Sequence, residues 1–160
     1  MAGASGGIQR EGVTYPSMDF TEVFRKEAPD VLRKLQEKGL RLALASSNGL
    51  AIVEKILRDN GIRDFFEVVV SGESFRKSKP DPEIYIHTAA ALGIDTKDCL
   101  VAEDSTAGIT AAHLAGMQVA AVIDDRFGFD RSLADFEVEK ITDIPDIPIL
   151  YGKEVSSAKA

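Results

Sequence analysis

The stretch LRLALASSNGLAIVEKILRDNGIRDFFEVVV, residues 40–70, decides the fold class. Leu40 to Ala45 is a short, almost wholly apolar run, the length of one buried strand. Ser46, Ser47 and Asn48 break the run, and Asn48 is placed to cap a helix whose Ile52, Val53, Ile56 and Leu57 share one face. Asn60-Gly61 ends that helix, and Phe66 to Val70 reads as the next strand. A strand, a helix and a second buried strand in succession form the repeating unit of a parallel sheet covered by helices.

The same rhythm extends in both directions. Upstream, Pro29 falls in the first turn of a helix with Val31, Leu32 and Leu35 as its inward stripe, and Gly39 stops it. Downstream, a loop from Ser71 to Asp81 leads to Pro82, which opens a helix running to Leu92 before Gly93. Cys99 to Ala102 is a short strand, Thr106 to Ala115 an alanine-rich helix closed by Gly116, and Met117 to Ile123 a further buried strand. Phe136 to Val138 adds an edge strand. The expectation is a three-layer, doubly wound α/β core over residues 28–150, with a leader and hinge segment at 1–27 and a frayed tail at 151–160.

Composition restricts the partners. The 160 residues are 44% hydrophobic and 28% charged, enough for one buried core, and no apolar run reaches the roughly 20 residues of a membrane span. Twenty-six acidic against 19 basic residues give a net charge of −7, which opposes attraction to nucleic acid or anionic lipid. One cysteine, Cys99, forms no internal disulfide, and two scattered histidines build no zinc site, so a reducing cytoplasm is expected.

In an open parallel sheet, ligands bind beyond the C-terminal ends of the strands. Three places qualify. Ser46 ends the first strand, and the backbone N–H groups of Ser47 and Asn48 would face outward as an anion cradle; ordinary helix capping accounts for the same residues. Lys79 precedes Pro80, so its backbone is biased to extended or turn geometry and its ammonium would reach over the sheet end; a solvated loop lysine, like Arg76 and Lys77, is the plainer reading. Glu103 and Asp104 are adjacent carboxylates after a short apolar strand, oxygen ligands that suit Mg²⁺, although Asp104 or Ser105 would also cap the next helix.

Together these segments resemble a known family. LALASSN at 42–48, SKPDPEIY at 78–85 and VAEDSTAGITAAHLAGM at 101–117 are similar to motifs two, three and four of the haloacid dehalogenase superfamily, in particular its β-phosphoglucomutase-like branch. The resemblance implies that Ser46, with Ser47 and Asn48 beside it, binds a transferring phosphoryl group and that Lys79 neutralises it. It implies that Asp104 holds Mg²⁺, with Glu103 supporting the metal directly or through water. A small phosphorylated metabolite, a sugar phosphate, is the implied substrate.

Motif one of that family, an apolar strand followed by Asp-x-Asp-Gly-Thr, has no match in the 160 residues: Asp19, Asp30 and Asp124-Asp125 do not follow a suitable early strand. Residues 8–24 would hold at most the exit of the family's helical cap. The chain alone is therefore expected to be inactive and to hold Mg²⁺ weakly or not at all. The absent central strand would leave two inner sheet edges open to complementation or self-association. A phosphate-binding module without chemistry is the competing expectation. His87 and His113 fall on helices away from the strand ends and are expected to have structural or surface roles; Arg126, Phe127, Phe129 and Arg131 read as a surface loop after the last buried strand, with a substrate contact as the alternative.

Overall fold

A computed structural model describes residues 9–10, 13–14, 27–124, 126 and 128–148. Two short strands, β1 (Gln9–Arg10) and β2 (Val13–Thr14), pair antiparallel. The core runs α1 (Ala28–Glu37), β3 (Ala43–Ser46), α2 (Leu50–Asp59), β4 (Val68–Ser71), α3 (Glu83–Leu92), β5 (Leu100–Glu103), α4 (Thr106–Leu114), β6 (Gln118–Val122) and β7 (Phe136–Val138). The predicted order of elements is present throughout. Each central strand begins one to three residues later than its apolar run, because the first apolar residues enter the core before the ladder starts. Nothing is described for most of the expected cap exit at 8–24 or for the tail at 151–160.

Period-two alternation sorts the strand residues onto two helix-covered faces. Leu42, Leu44, Leu100, Ala102 and Ala120 pack with Val31, Leu32 and Leu35 of α1 and with Val53 and Leu57 of α2. Ala45, Val70, Val101, Val119 and Ala121 pack with Ile84, Tyr85 and Ala89 of α3 and with Ile109, Ala111 and Ala112 of α4. This is the expected three-layer α/β architecture. Strands buried on both sides must be apolar throughout, which is why their sequences are runs and not alternations.

The strand layer is divided in two. β3 pairs parallel with β4, from Ala43 opposite Val68 to Ser46 opposite Ser71, and β5, β6 and β7 form a second parallel set. The Leu42 carbonyl accepts from Glu67 N–H, so Ala43 and Ala45 direct their backbone groups away from β4. The Cys99 carbonyl accepts from Gln118 N–H, so Leu100 and Ala102 direct theirs away from β6. These four residues are buried, and no ladder joins their edges among the described strands.

Among the described residues, no helix is long and apolar enough to cross a membrane.

Candidate functional site

Ser46 is the last residue of β3 and is fully buried. Its Oγ accepts the Asn48 N–H at 3.1 Å, while the Asn48 carbonyl accepts from Ser71 Oγ at 2.7 Å across the β3–β4 pair. The turn is thus locked from both sides. Two expectations change here. Asn48 does not cap α2: Gly49 occupies that position and the Leu50 N–H is satisfied by Glu73 Oε2 at 2.9 Å, a carboxylate at the positive end of the helix. The Asn48 N–H does not face outward, because Ser46 Oγ takes it. The Asn48 side-chain nitrogen, however, is buried without a hydrogen-bond partner, leaving a donor at this strand end.

Lys79 departs most from its expected setting. Its side chain is 6% exposed, and Nζ donates to Glu103 Oε1 at 2.6 Å and to the Tyr85 hydroxyl at 3.1 Å. The loop bearing it turns at a cis Lys79–Pro80 bond, while Arg76 and Lys77 stay at the surface. A charge this deeply buried survives only with a counter-charge and hydrogen bonds, and Glu103 supplies the first.

Glu103 is the final residue of β5, with a side chain 0% exposed. Its Oε1 accepts from Lys79 and, at 2.6 Å, from the Tyr85 hydroxyl; its Oε2 is buried without a hydrogen-bond partner. The carboxylate lies against Gly108 in the first turn of α4, so closely that a Cβ at 108 would fall inside it. The contacts of Glu103 are therefore those of a counter-ion to Lys79. Asp104, also buried, follows at the strand end, and Ser105 caps α4 by accepting Gly108 N–H at 3.1 Å.

Lys79 and Glu103 are thus in direct contact, with Asp104 adjacent in the chain. Ser46 shares no hydrogen bond with Lys79 or Glu103. Tyr85 is the participant that sequence reading missed, although it closes the SKPDPEIY segment; aromatic residues on a helix ordinarily signal core, and only the fold places this phenol beside Lys79. Burial first, then Glu103 and Asp104, push its phenol well above the ordinary range, so it remains a protonated donor.

Arg126 is exposed, as the surface-loop reading expects. It forks onto Asp124, Nε to Oδ1 at 2.8 Å and Nη2 to Oδ2 at 2.9 Å, and it also feels the Asp104 charge. Phe127 and Asp125 are outside the described residues. His87 is exposed, and its ring packs edge-on against Phe75, centroids 5.3 Å apart. Cys99 is buried, and burial raises its thiol above the usual value.

Mg²⁺ commonly uses one or two carboxylates, completing its shell with water and phosphate oxygens. Asp104 fits such a donor set in kind, and Glu103 has one oxygen uncommitted. Among the described residues no group of three or more His, Cys, Asp or Glu gathers to hold a metal, so these two would supply only part of a shell.

The architecture and strand-end cluster define a doubly wound α/β domain with buried charge at the C-terminal ends of its parallel strands. The chain belongs to the haloacid dehalogenase-like hydrolase family, whose profile matches residues 20–122. It is 36% identical over 115 residues to hexitol phosphatase B of Escherichia coli, covering 68% of this chain and 50% of that protein. It is 39% identical over 92 residues to β-phosphoglucomutase of Bacillus subtilis, covering 58% and 40%. A Thermotoga maritima structure assigned as a β-phosphoglucomutase superposes with a TM-score of 0.70 at 28% identity, over 78% of this chain and 59% of that one. The chain spans about half the length of these relatives.

Proposed function

We propose that this chain is the phosphate-handling part of a Mg²⁺-dependent phosphatase or phosphomutase acting on a small phosphorylated metabolite, a sugar phosphate. The observation that carries the reading is Lys79: a buried ammonium held at the strand ends with two donors committed and one left for an anion. The named activities of the Escherichia coli and Bacillus subtilis relatives, on a hexitol phosphate and a phosphoglucose, support the substrate class.

In this reading Ser46 and the Asn48 amide orient a phosphoryl group and Lys79 neutralises its charge; positioning and charge stabilisation supply most of the catalysis in phosphoryl transfer. Asp104 would hold Mg²⁺, which when bound would offset charge on the phosphoryl oxygens. Glu103 holds Lys79 in place. The nucleophilic and acid–base aspartates would come from an Asp-x-Asp strand between β3 and β5. The buried edge groups of Ala43, Ala45, Leu100 and Ala102 support such a strand, since buried backbone polar groups are almost always paired. Self-association through the same edges is the alternative use. Buried, unpaired Cys99 accords with a reducing cytoplasm.

The test adds the missing segment. Co-expressing the chain with an Asp-x-Asp strand and measuring hydrolysis of a generic aryl phosphate should give Mg²⁺-dependent turnover that Lys79→Ala abolishes. A folded, stoichiometric complex with no turnover would count against the enzyme reading. A second reading is binding without chemistry. It requires orthophosphate binding that weakens in Ser46→Ala and Lys79→Ala.

A further inference from the structure

Lys79, Glu103 and Tyr85 form a closed triangle. The ammonium donates to the phenol oxygen at 3.1 Å and to Glu103 Oε1 at 2.6 Å, and the phenol donates to the same Oε1 at 2.6 Å. Nζ also sits 4.9 Å from the Tyr85 ring centroid, within cation–π range. Tyr85 is among the largest fully buried side chains, packed with Ile84, Ala89 and Val101, so its hydroxyl cannot swing into water for a substitute partner.

We infer that Tyr85 is a positioning residue for Lys79: its hydroxyl accepts one ammonium N–H and donates to the Glu103 oxygen that accepts a second, keeping the third donor aimed away for an anion. The anion in question rests on the phosphate-site reading above; the positioning itself does not. The chemistry follows from counting. An ammonium has three donors and a carboxylate oxygen about two acceptor sites. Without the phenol, both acceptor sites of Oε1 face Lys79, and the flexible stem can rotate a different N–H onto Glu103. The carboxylate would then quench the ammonium more completely. With the phenol, one acceptor site is occupied by a neutral donor and the direction of the remaining N–H is set.

The test reads Lys79 directly. The ammonium resonance of ¹⁵N-lysine-labelled protein is assigned by its loss in Lys79→Met, and its exchange with water is measured in the wild type and in Tyr85→Phe, which keeps the ring. We expect a protected resonance in the wild type and exchange at least about tenfold faster in Tyr85→Phe, the consequence of losing one charge-assisted hydrogen bond. Orthophosphate affinity should fall by a similar factor in the variant. Should Tyr85→Phe not fold, 3-fluorotyrosine at position 85 keeps the shape and strengthens the donor, and it should shift the Lys79 resonance while other lysines stay fixed.

A merely structural phenol would lower thermal stability and leave the Lys79 resonance and exchange unchanged in the folded variant or fluorinated protein; that result overturns the inference. If the resonance responds but neither form binds orthophosphate, positioning stands and the phosphate-site reading falls. If orthophosphate binds the wild type and Tyr85→Phe equally with Lys79 unmoved, positioning alone falls.

Discussion

Replacing Gly108 by alanine should destabilise the protein, against the usual tendency of that substitution in a helix. On propensity alone, Gly→Ala within α4 would gain up to about 1 kcal/mol. The added Cβ, however, would fall inside the Glu103 carboxylate. A carboxylate is the mobile end of its side chain, but this one is fully buried and held by Lys79 and Tyr85, so it moves only by releasing them. Separating a buried ion pair costs about 3–5 kcal/mol, so the net loss should be about 2–4 kcal/mol. Urea unfolding at neutral pH, followed by circular dichroism and extrapolated linearly, measures it. The companion background is Glu103→Ala, where the space is vacated: there Gly108→Ala should cost nothing or stabilise by up to about 1 kcal/mol, giving a coupling of about 2–5 kcal/mol between the two positions. A neutral or stabilising effect in the wild-type background, or the same penalty in both backgrounds, would refute the account of Glu103 as a carboxylate lodged beneath α4.

The other predictions use the same charges. Lys79→Met should cost about 3–5 kcal/mol by leaving Glu103 buried without its counter-ion, and adding Glu103→Gln should recover much of that loss in the same urea assay. Stability should decline above about pH 10, the ordinary phenol range: Tyr85 has a raised folded-state pKa, so the unfolded chain loses its proton first and is favoured as pH rises toward the folded value. The difference in stability between wild type and Tyr85→Phe should therefore shrink over that alkaline range. The Arg126 hydrogen bonds hold the Asp124 carboxyl below its usual range, so its contribution is present above about pH 4 and lost as pH falls through the depressed value. With Arg126 more than half exposed, solvent screening limits that contribution to about 0.5–1 kcal/mol, measured as the gap between wild type and Asp124→Asn at pH 6 and pH 3.

Local sequence reading succeeded where a short range of residues contains the whole physical cause. Helix α3 is an example: Pro82 stands at its N-terminus and Gly93 takes the left-handed conformation that ends it, φ 72°. It failed at Asn48, where capping propensity was legible but the competitors were not: Ser46 Oγ claims its N–H, and Glu73, 23 residues beyond Leu50, supplies the cap. For Lys79, chain position gave the correct end of the sheet while its surroundings gave the wrong environment. Two neighbouring cations, Arg76 and Lys77, do remain in solvent, and nothing nearby in sequence marks the third as buried.

By itself, then, the sequence determined the layered α/β class, the order of its strands and helices, and the strand-end addresses of Ser46, Lys79, Glu103 and Asp104, because apolar periodicity and turn chemistry act over a few residues. Only tertiary structure decided that Glu103 turns beneath α4 to meet Lys79, that Tyr85 closes the triangle with them, and that the backbone groups facing the β3–β5 interval are buried. Those outcomes depend on groups far apart in the chain, 24 residues for Lys79 and Glu103 and more for β3 and β5, competing for the same space after the chain has packed.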